Sequence, residues 1–108
     1  MAAGDEFVRV GEPGQPFFRL RPGEEGISVF DPEAVDPALE DAEILSAFRS
    51  GSSIVIRSRQ AILAAGLQIG VIPGAGPLPL RLRLSHAEIR PAPGMTRRQF
   101  KDALRSLE

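Results

Sequence analysis

Short apolar segments separated by Gly and Pro run along the chain and predict a series of strands. β-branched residues and apolar–polar alternation mark these segments, and turn-forming pairs such as Pro22-Gly23 end them. The predicted strands cover residues 16–21, 26–30, 53–57, 67–72 and 80–84, and residues 85–90 either prolong the last of these or form another. The earlier alternation at 7–10 lies in a Gly- and Pro-rich stretch, so residues 1–15 are expected to form a flexible leader or an edge strand.

The segment from Leu80 to Leu84 has a regular alternation, with Leu at the first, third and fifth positions and Arg between them. Successive side chains of a strand point to opposite faces. The segment is therefore predicted to be a half-buried strand with three leucines on one face and two arginines on the other.

Capping residues predict two helices in the first two-thirds of the chain. Asp36 suits the N-cap position and Pro37 the first helical position, where its missing N–H is not needed. This helix is expected to run to about Ser50. Ser58 is expected to cap a second, shorter helix over residues 59–65.

A third helix is predicted near the end of the chain. Thr96 and Gln99 have the spacing of a capping box, while Met95 and Phe100 have that of a hydrophobic staple. Together the elements predict a single compact α+β domain over residues 16–108, with short mixed or antiparallel strands and two or three helices.

Composition narrows the chemistry that this domain can perform. The 108 residues fit one domain, and the absence of Cys together with a single His excludes disulfides, thiolate metal sites and multi-His metal sites. No apolar run reaches the roughly 18 residues of a membrane-spanning helix, and the first residues lack the order of a signal peptide. We therefore expect no metal site, no membrane association and a cytoplasmic location.

The charges are divided unevenly between the two halves of the chain. Residues 1–54 carry 11 acidic residues against 4 arginines, whereas residues 55–108 carry 3 against 9 basic residues. Either the halves attract each other within the fold, or the basic half receives an anion such as a phosphate or an acidic partner. The net charge of −1 and the absence of Tyr and Trp disfavour nucleic-acid binding.

Four residues of the predicted strands carry candidate chemistry. Arg19 lies in an apolar segment, where a charge needs a partner or a ligand, and Ser28 lies within a predicted strand. His86 and Glu88 are two residues apart, so they point the same way and can face one cleft. The alternative is structural: Arg19 faces solvent or an acidic side chain, Ser28 is an ordinary strand hydroxyl, and His86 caps the sheet. Because no Gly-x-Ser-x-Gly elbow is present, a serine hydrolase is disfavoured.

The pattern His-x-x-Ile-x-Pro-Ala-x-x-Met from His86 to Met95, followed by a capped helix, is similar to that of a known family. With Gly26–Asp31 and Gly66–Ile69, it resembles small bacterial toxins exported by type VI secretion whose fold is that of ADP-ribosyltransferases. The resemblance covers roughly residues 17–107. It implies an ADP-ribosyltransferase-like fold, the use of NAD⁺, and a macromolecular target in the bacterial cytoplasm.

The resemblance also implies roles for individual residues. Arg19 corresponds to a first-strand arginine that holds an NAD⁺ phosphate or ribose. Ser28, or alternatively Ser53, corresponds to a serine of the second motif that supports the nicotinamide-ribose end. Glu88 resembles the carboxylate that holds a ribose hydroxyl, with His86 beside it in the third motif.

Three further expectations follow from the same resemblance. Because the chain has no Tyr or Trp, the ring available to contact nicotinamide is that of Phe30, Phe17 or Phe18. An antitoxin or immunity protein is expected as a tightly bound partner. The site requires that Arg19 and the residues His86 and Glu88 converge on one pocket.

An alternative function is a non-catalytic protein-binding module, such as a toxin partner or an immunity or accessory protein. Eight acidic residues between Glu24 and Glu43 would then provide its docking surface.

Overall fold

The computed structural model describes residues 4–74 and 76–108. Its strands are β1 (Glu6–Gly11), β2 (Ile27–Phe30), β3 (Ser53–Ser58), β4 (Leu67–Val71) and β5 (His86–Pro91). These five strands form one sheet in the order β3-β1-β2-β5-β4, and every neighbouring pair is antiparallel. With the helices given next, this confirms the predicted α+β fold with antiparallel strands.

The helices are short and pack on the two faces of the sheet. They are α1 (Asp41–Leu45), α2 (Arg59–Ala64), α3 (Leu80–Ser85) and α4 (Arg97–Arg105), with a 3₁₀ helix at Pro32–Ala34. Two of the predicted caps are confirmed. Ser58 Oγ accepts a hydrogen bond from the Ala61 N–H, and Thr96 and Gln99 form the reciprocal bonds of a capping box. None of the helices in the described part of the chain is long and apolar enough to cross a membrane.

Both faces of the sheet contribute apolar residues to the core, because successive side chains of a strand point to opposite faces. One face packs against α2 and α4, and its buried cluster includes Phe7, Ile27, Val29, Ala87, Ile89, Ile62, Phe100 and Leu104. The other face packs against α1 and α3, and its buried cluster is Val8, Phe30, Leu39, Ile44 and Leu82. We call these the first and second core clusters. Ser28 and His86 lie on the second face, because they alternate with Val29 and Ala87.

The predicted strand at residues 16–21 is wrong, since this segment forms a loop. Its alternation does describe burial, because Phe18 and Leu20 are buried while Arg19 is exposed. Its backbone hydrogen bonds go elsewhere: the N–H groups of Phe17 and Phe18 donate to the carboxylate of Glu108 at 2.9 and 2.7 Å. The Glu108 side chain thus accepts the hydrogen bonds that a neighbouring strand would accept if this segment were a strand.

The first strand lies inside the sheet and not at its edge. β1 pairs with β3 on one side and with β2 on the other, so the expectation of a flexible leader or edge strand over residues 1–15 is corrected for residues 6–11. Residues 1–3 of the expected leader lie outside the described residues.

The helix predicted from Asp36 to Ser50 begins later and is shorter. The Asp36–Pro37 peptide bond is cis, and α1 starts only at Asp41. Before it, the Leu39 N–H donates to the Pro32 carbonyl at 3.0 Å, and the Leu39 side chain is buried in the second core cluster. Residues 36–40 are therefore non-helical, and this segment brings Leu39 into the second core cluster.

The predicted strand at residues 80–84 is also wrong, because these residues form α3. Leu82 is 0% exposed, whereas Leu80 is 58% and Leu84 is 48% exposed. The leucines therefore do not share a face, as they would in a strand. Leu and Arg are both strong helix formers, and the pairing of Leu82 with buried Ser85 three residues on follows the helical period.

Candidate functional site

A cavity of about 400 Å³ opens on the second face of the sheet where β1 and β2 separate. We call it the histidine cavity; its described lining residues are Arg9, Val10, Ser28, Phe30, Phe48, Gly74, Leu78, His86 and Glu88. β1 and β2 share one paired position among the described residues, Val8 with Phe30, whereas β1 pairs with β3 over six positions. The short pairing leaves an opening between Val10 and Ser28, and the cavity forms there.

Arg9 bridges the opening between the two strands. Its Nε donates to the Phe17 carbonyl at 2.7 Å, and its NH1 donates to the Ser28 carbonyl at 2.9 Å. Burial lowers the pKa of the Arg9 guanidinium, and the nearby Glu24 carboxylate acts in the opposite direction. An arginine keeps its charge at physiological pH even so. Arg9 therefore places a fixed positive charge at the cavity wall.

Ser28, His86 and the backbone of Ile72 form a hydrogen-bonded chain in this cavity. His86 Nδ1 lies 2.7 Å from the Ile72 carbonyl oxygen, and His86 Nε2 lies 3.0 Å from Ser28 Oγ. A carbonyl only accepts, so Nδ1 must carry a proton. In the neutral imidazole Nε2 is then an acceptor, and the Ser28 hydroxyl donates to it.

Glu88 lies directly across the strand pair from Ser28, because the two residues are partners in the β2–β5 register. Its Oε1 accepts a hydrogen bond from Arg90 Nε at 2.9 Å and lies 2.7 Å from Arg90 NH2. A Cβ built on Gly26 would lie 3.0 Å from Glu88 Oε1, so glycine at this position leaves room for the carboxylate. Arg90 and Gly26 together fix where the Glu88 charge lies.

The aromatic residues support the imidazole from one side. The Phe30 and His86 rings are 6.0 Å apart between centroids at an interplanar angle of 75°, and the Phe30 and Phe48 rings are 5.9 Å apart at 68°. Phe30 is buried, so it offers the cavity little of its ring face. Phe48 is half-buried and is the more accessible aromatic surface of the two.

A second cavity of about 220 Å³ adjoins the first and shares Arg9, Val10 and Phe48 with it. We call it the arginine cavity; its charged lining residues are Arg9, Arg19, Arg21, Arg49, Glu12 and Glu24. Four guanidinium groups against two carboxylates give this cavity a positive balance. Such a surface favours an anion with several oxygen acceptors.

The predicted site residues do not all line the same cavity. Ser28, Phe30, His86 and Glu88 line the histidine cavity. Arg19 lies in the arginine cavity, where its exposed side chain donates to Gln15 Oε1 at 3.3 Å. The expected convergence of Arg19 with the imidazole on one pocket is thus corrected to two adjoining cavities.

Ser53 lies apart from the predicted histidine site. It is the first residue of β3, is exposed, and pairs with Gly11 of β1. It is not among the described residues that line either cavity. Of the two alternative serines, the structure therefore brings only Ser28 next to His86.

Arg9 is the site residue that sequence reasoning missed. The sequence does contain a signal for Arg9, because it interrupts the apolar segment from Phe7 to Val10 just as Arg19 interrupts the apolar segment from Phe17 to Leu20. A charge in an apolar strand needs a partner, and here the partners are backbone carbonyls of Phe17 and Ser28. Because residues 1–15 are predicted to be a flexible leader or an edge strand, Arg9 is not among the predicted site residues.

The acidic stretch from Glu24 to Glu43 is used partly inside the fold. Asp31 is buried, and its carboxylate accepts from the N–H groups of Gly4 and Glu33, each at 3.1 Å. Glu43 pairs with Arg81 at 2.7 Å, and this hydrogen bond lowers the pKa of Glu43. The Arg81–Glu43 pair joins the acidic and basic halves of the chain.

The described fold and cavities identify the chain only as an α+β domain with a polar cavity where two strands of its sheet separate. Comparison with known protein families, curated proteins and solved structures finds no match for this chain. The resemblance to ADP-ribosyltransferase-like toxins therefore stays a prediction.

Proposed function

We propose that this chain is a bacterial toxin of the ADP-ribosyltransferase-like type, which uses NAD⁺ to modify a macromolecular target in the cytoplasm. An antitoxin or immunity protein would be its inhibitor, and a secretion system its means of delivery. The observation that carries the proposal is the contact between the two cavities, which puts Ser28, His86 and Glu88 next to a cluster of arginines.

The two cavities suit the two chemical parts of a dinucleotide. Guanidinium groups bind phosphate oxygens with paired hydrogen bonds, so Arg9, Arg19 and Arg49 are suited to hold the diphosphate. The histidine cavity has the size of a small-molecule site and carries a hydroxyl, an imidazole and a carboxylate for a ribose. Phe48 borders both cavities and is placed to contact an aromatic base.

Glu88 is the residue with the clearest electrostatic role in this proposal. NAD⁺ supplies an ADP-ribosyl group, and positive charge develops on the ribose carbon as nicotinamide leaves. A carboxylate fixed by Arg90 stabilises that charge more in the transition state than in the ground state. His86 and Ser28 would contact the ribose.

The test is NAD⁺ binding and nicotinamide release by the purified chain. At about 100 times its Kd, a ligand of the folded state adds roughly 2.7 kcal/mol of stability, which a thermal melt detects. Glu88→Gln is expected to slow nicotinamide release by roughly 10²–10³-fold. Asp102→Asn removes an exposed carboxylate of α4 and is the matched control.

Growth provides a second readout of the same proposal. Expression in the bacterial cytoplasm should arrest growth, and Glu88→Gln should relieve the arrest while Asp102→Asn should not. A melting temperature that does not change in millimolar NAD⁺, together with no nicotinamide release, would reject the proposal.

The protein-binding module is the second candidate function, and the exposed acidic residues favour it. Glu33, Asp36, Glu40 and Asp41 are exposed, in contrast to buried Asp31. A partner captured by the wild-type chain should bind less to Glu40→Lys than to the control Asp102→Lys. Equal capture by both variants would exclude this surface.

A further inference from the structure

We infer that Ser28, activated by His86, is a nucleophile that accepts the ADP-ribosyl group, so that the chain modifies itself at this residue. The inference rests on the proposed use of NAD⁺ and adds an acceptor within the chain to the proposed macromolecular target. Its structural basis is the chain of contacts from Ser28 Oγ through His86 to the Ile72 carbonyl.

The geometry is that of a nucleophile, a base and a group that orients the base. The Ile72 carbonyl holds the Nδ1 proton at 2.7 Å, which leaves the basic lone pair on Nε2, 3.0 Å from Ser28 Oγ. The buried Phe30 ring packs against the imidazole at an interplanar angle of 75°, with the ring centroids 6.0 Å apart. A serine hydroxyl is a weak nucleophile until such a base removes its proton.

The surroundings favour substitution at a sugar carbon over acyl transfer. Acyl transfer develops negative charge on an oxygen and needs donors for it, whereas substitution at a ribose carbon develops positive charge. The residue opposite Ser28 in the strand register is Glu88, which lines the same cavity. Its negative charge suits the second reaction.

The reaction balances with NAD⁺ as the co-reactant. Ser28 Oγ forms a bond to the ribose carbon that carries nicotinamide, and the bond from that carbon to the nicotinamide nitrogen breaks. The bonding electron pair leaves with nicotinamide, and the serine proton passes to His86 Nε2. Because the hydroxyl lines the same cavity as Glu88, no second protein is needed as an acceptor.

The experiment has two arms on the full chain. In the first, without NAD⁺, phenylmethylsulfonyl fluoride is expected to label Ser28 with loss of fluoride, faster than exposed Ser50. In the second, incubation with NAD⁺ is expected to add one ADP-ribosyl group, which peptide mass spectrometry localises to Ser28. Thermal melts with NAD⁺ are recorded in parallel.

Variants separate activation of Ser28 from a structural role of the pair. His86→Asn keeps a donor for the Ile72 carbonyl but lacks the base, and should slow both reactions by about 10²–10⁴-fold. Ser28→Ala should carry no adduct at residue 28, and Ser28→Cys, which keeps a nucleophile, should be modified there. Ser50→Ala is the control and should behave as the wild type.

Labelling and an adduct at Ser28, both dependent on His86, would support the inference. If NAD⁺ raises the melting temperature but Ser28 gains no adduct, the inference is overturned and the proposed function stands. If NAD⁺ neither raises the melting temperature nor releases nicotinamide, both fall together.

Discussion

Truncation of the three leucines in α3 distinguishes its helical conformation from the strand that the alternating sequence predicts. Leu82 is 0% exposed and packs in the second core cluster, so Leu82→Ala should destabilise the fold by about 2–5 kcal/mol. Leu80 and Leu84 are 58% and 48% exposed, so the same truncation at either should change stability by about 0.5 kcal/mol or less. The three variants remove the same atoms and differ only in burial.

Urea unfolding followed by far-ultraviolet circular dichroism is the suitable assay, because the chain has no Trp or Tyr for intrinsic fluorescence. The transition midpoint should fall for Leu82→Ala, while its slope should stay as in the wild type. Similar losses at all three positions would refute the reasoning, because they would mean that the leucines share one buried face. In that case the segment would be a strand, and the second core cluster would be wrong.

Two other predictions concern the ion pair between the halves and the position of the imidazole. Because the hydrogen bond from Arg81 lowers the pKa of Glu43 in the folded state, its contribution is present above the usual glutamate pKa and is lost as the pH falls through the lowered value. The difference in urea midpoint between wild type and Glu43→Gln should therefore shrink on acidification; a constant difference would contradict this. A Cβ on Gly74 would lie 3.3 Å from His86 Cβ and Cγ, so Gly74→Ala should displace the imidazole and slow sulfonyl fluoride labelling of Ser28. Gly70→Ala, whose Cβ would meet nothing within 4 Å, should not, and equal labelling in the two variants would disprove the crowding.

The elements that the sequence predicts correctly are those fixed by neighbouring residues. The capping box at Thr96 and Gln99 and the cap at Ser58 need only a few residues of chain, and both are confirmed. Alternation over five residues is a weaker signal, because a short segment of Leu and Arg is compatible with a helix as well as a strand. Burial of Leu82 in the same cluster as Val8 and Phe30, which are distant in sequence, decides between them.

The same distinction explains which parts of the candidate site were predictable. The spacing of His86 and Glu88 on one strand was enough to place them on one face, and the structure puts both in the histidine cavity. The contact of Ser28 with His86 depends on the register of β2 against β5. That register cannot be predicted from the residues of either strand alone. The separation of Arg19 from the imidazole depends on a loop whose partner, Glu108, lies at the other end of the chain.

The parting of β1 from β2 links the fold to the candidate site. In a continuous ladder, the Ser28 carbonyl would accept from a backbone N–H of the neighbouring strand; here it accepts from the Arg9 guanidinium. The Arg9 guanidinium satisfies the Ser28 carbonyl although β1 and β2 do not pair at this position. The Ser28 hydroxyl therefore remains accessible from the cavity. It also places a positive charge between the histidine and arginine cavities, because Arg9 lines both. One side chain therefore bridges the opening between the strands and supplies the charge that an anionic ligand would meet on either side.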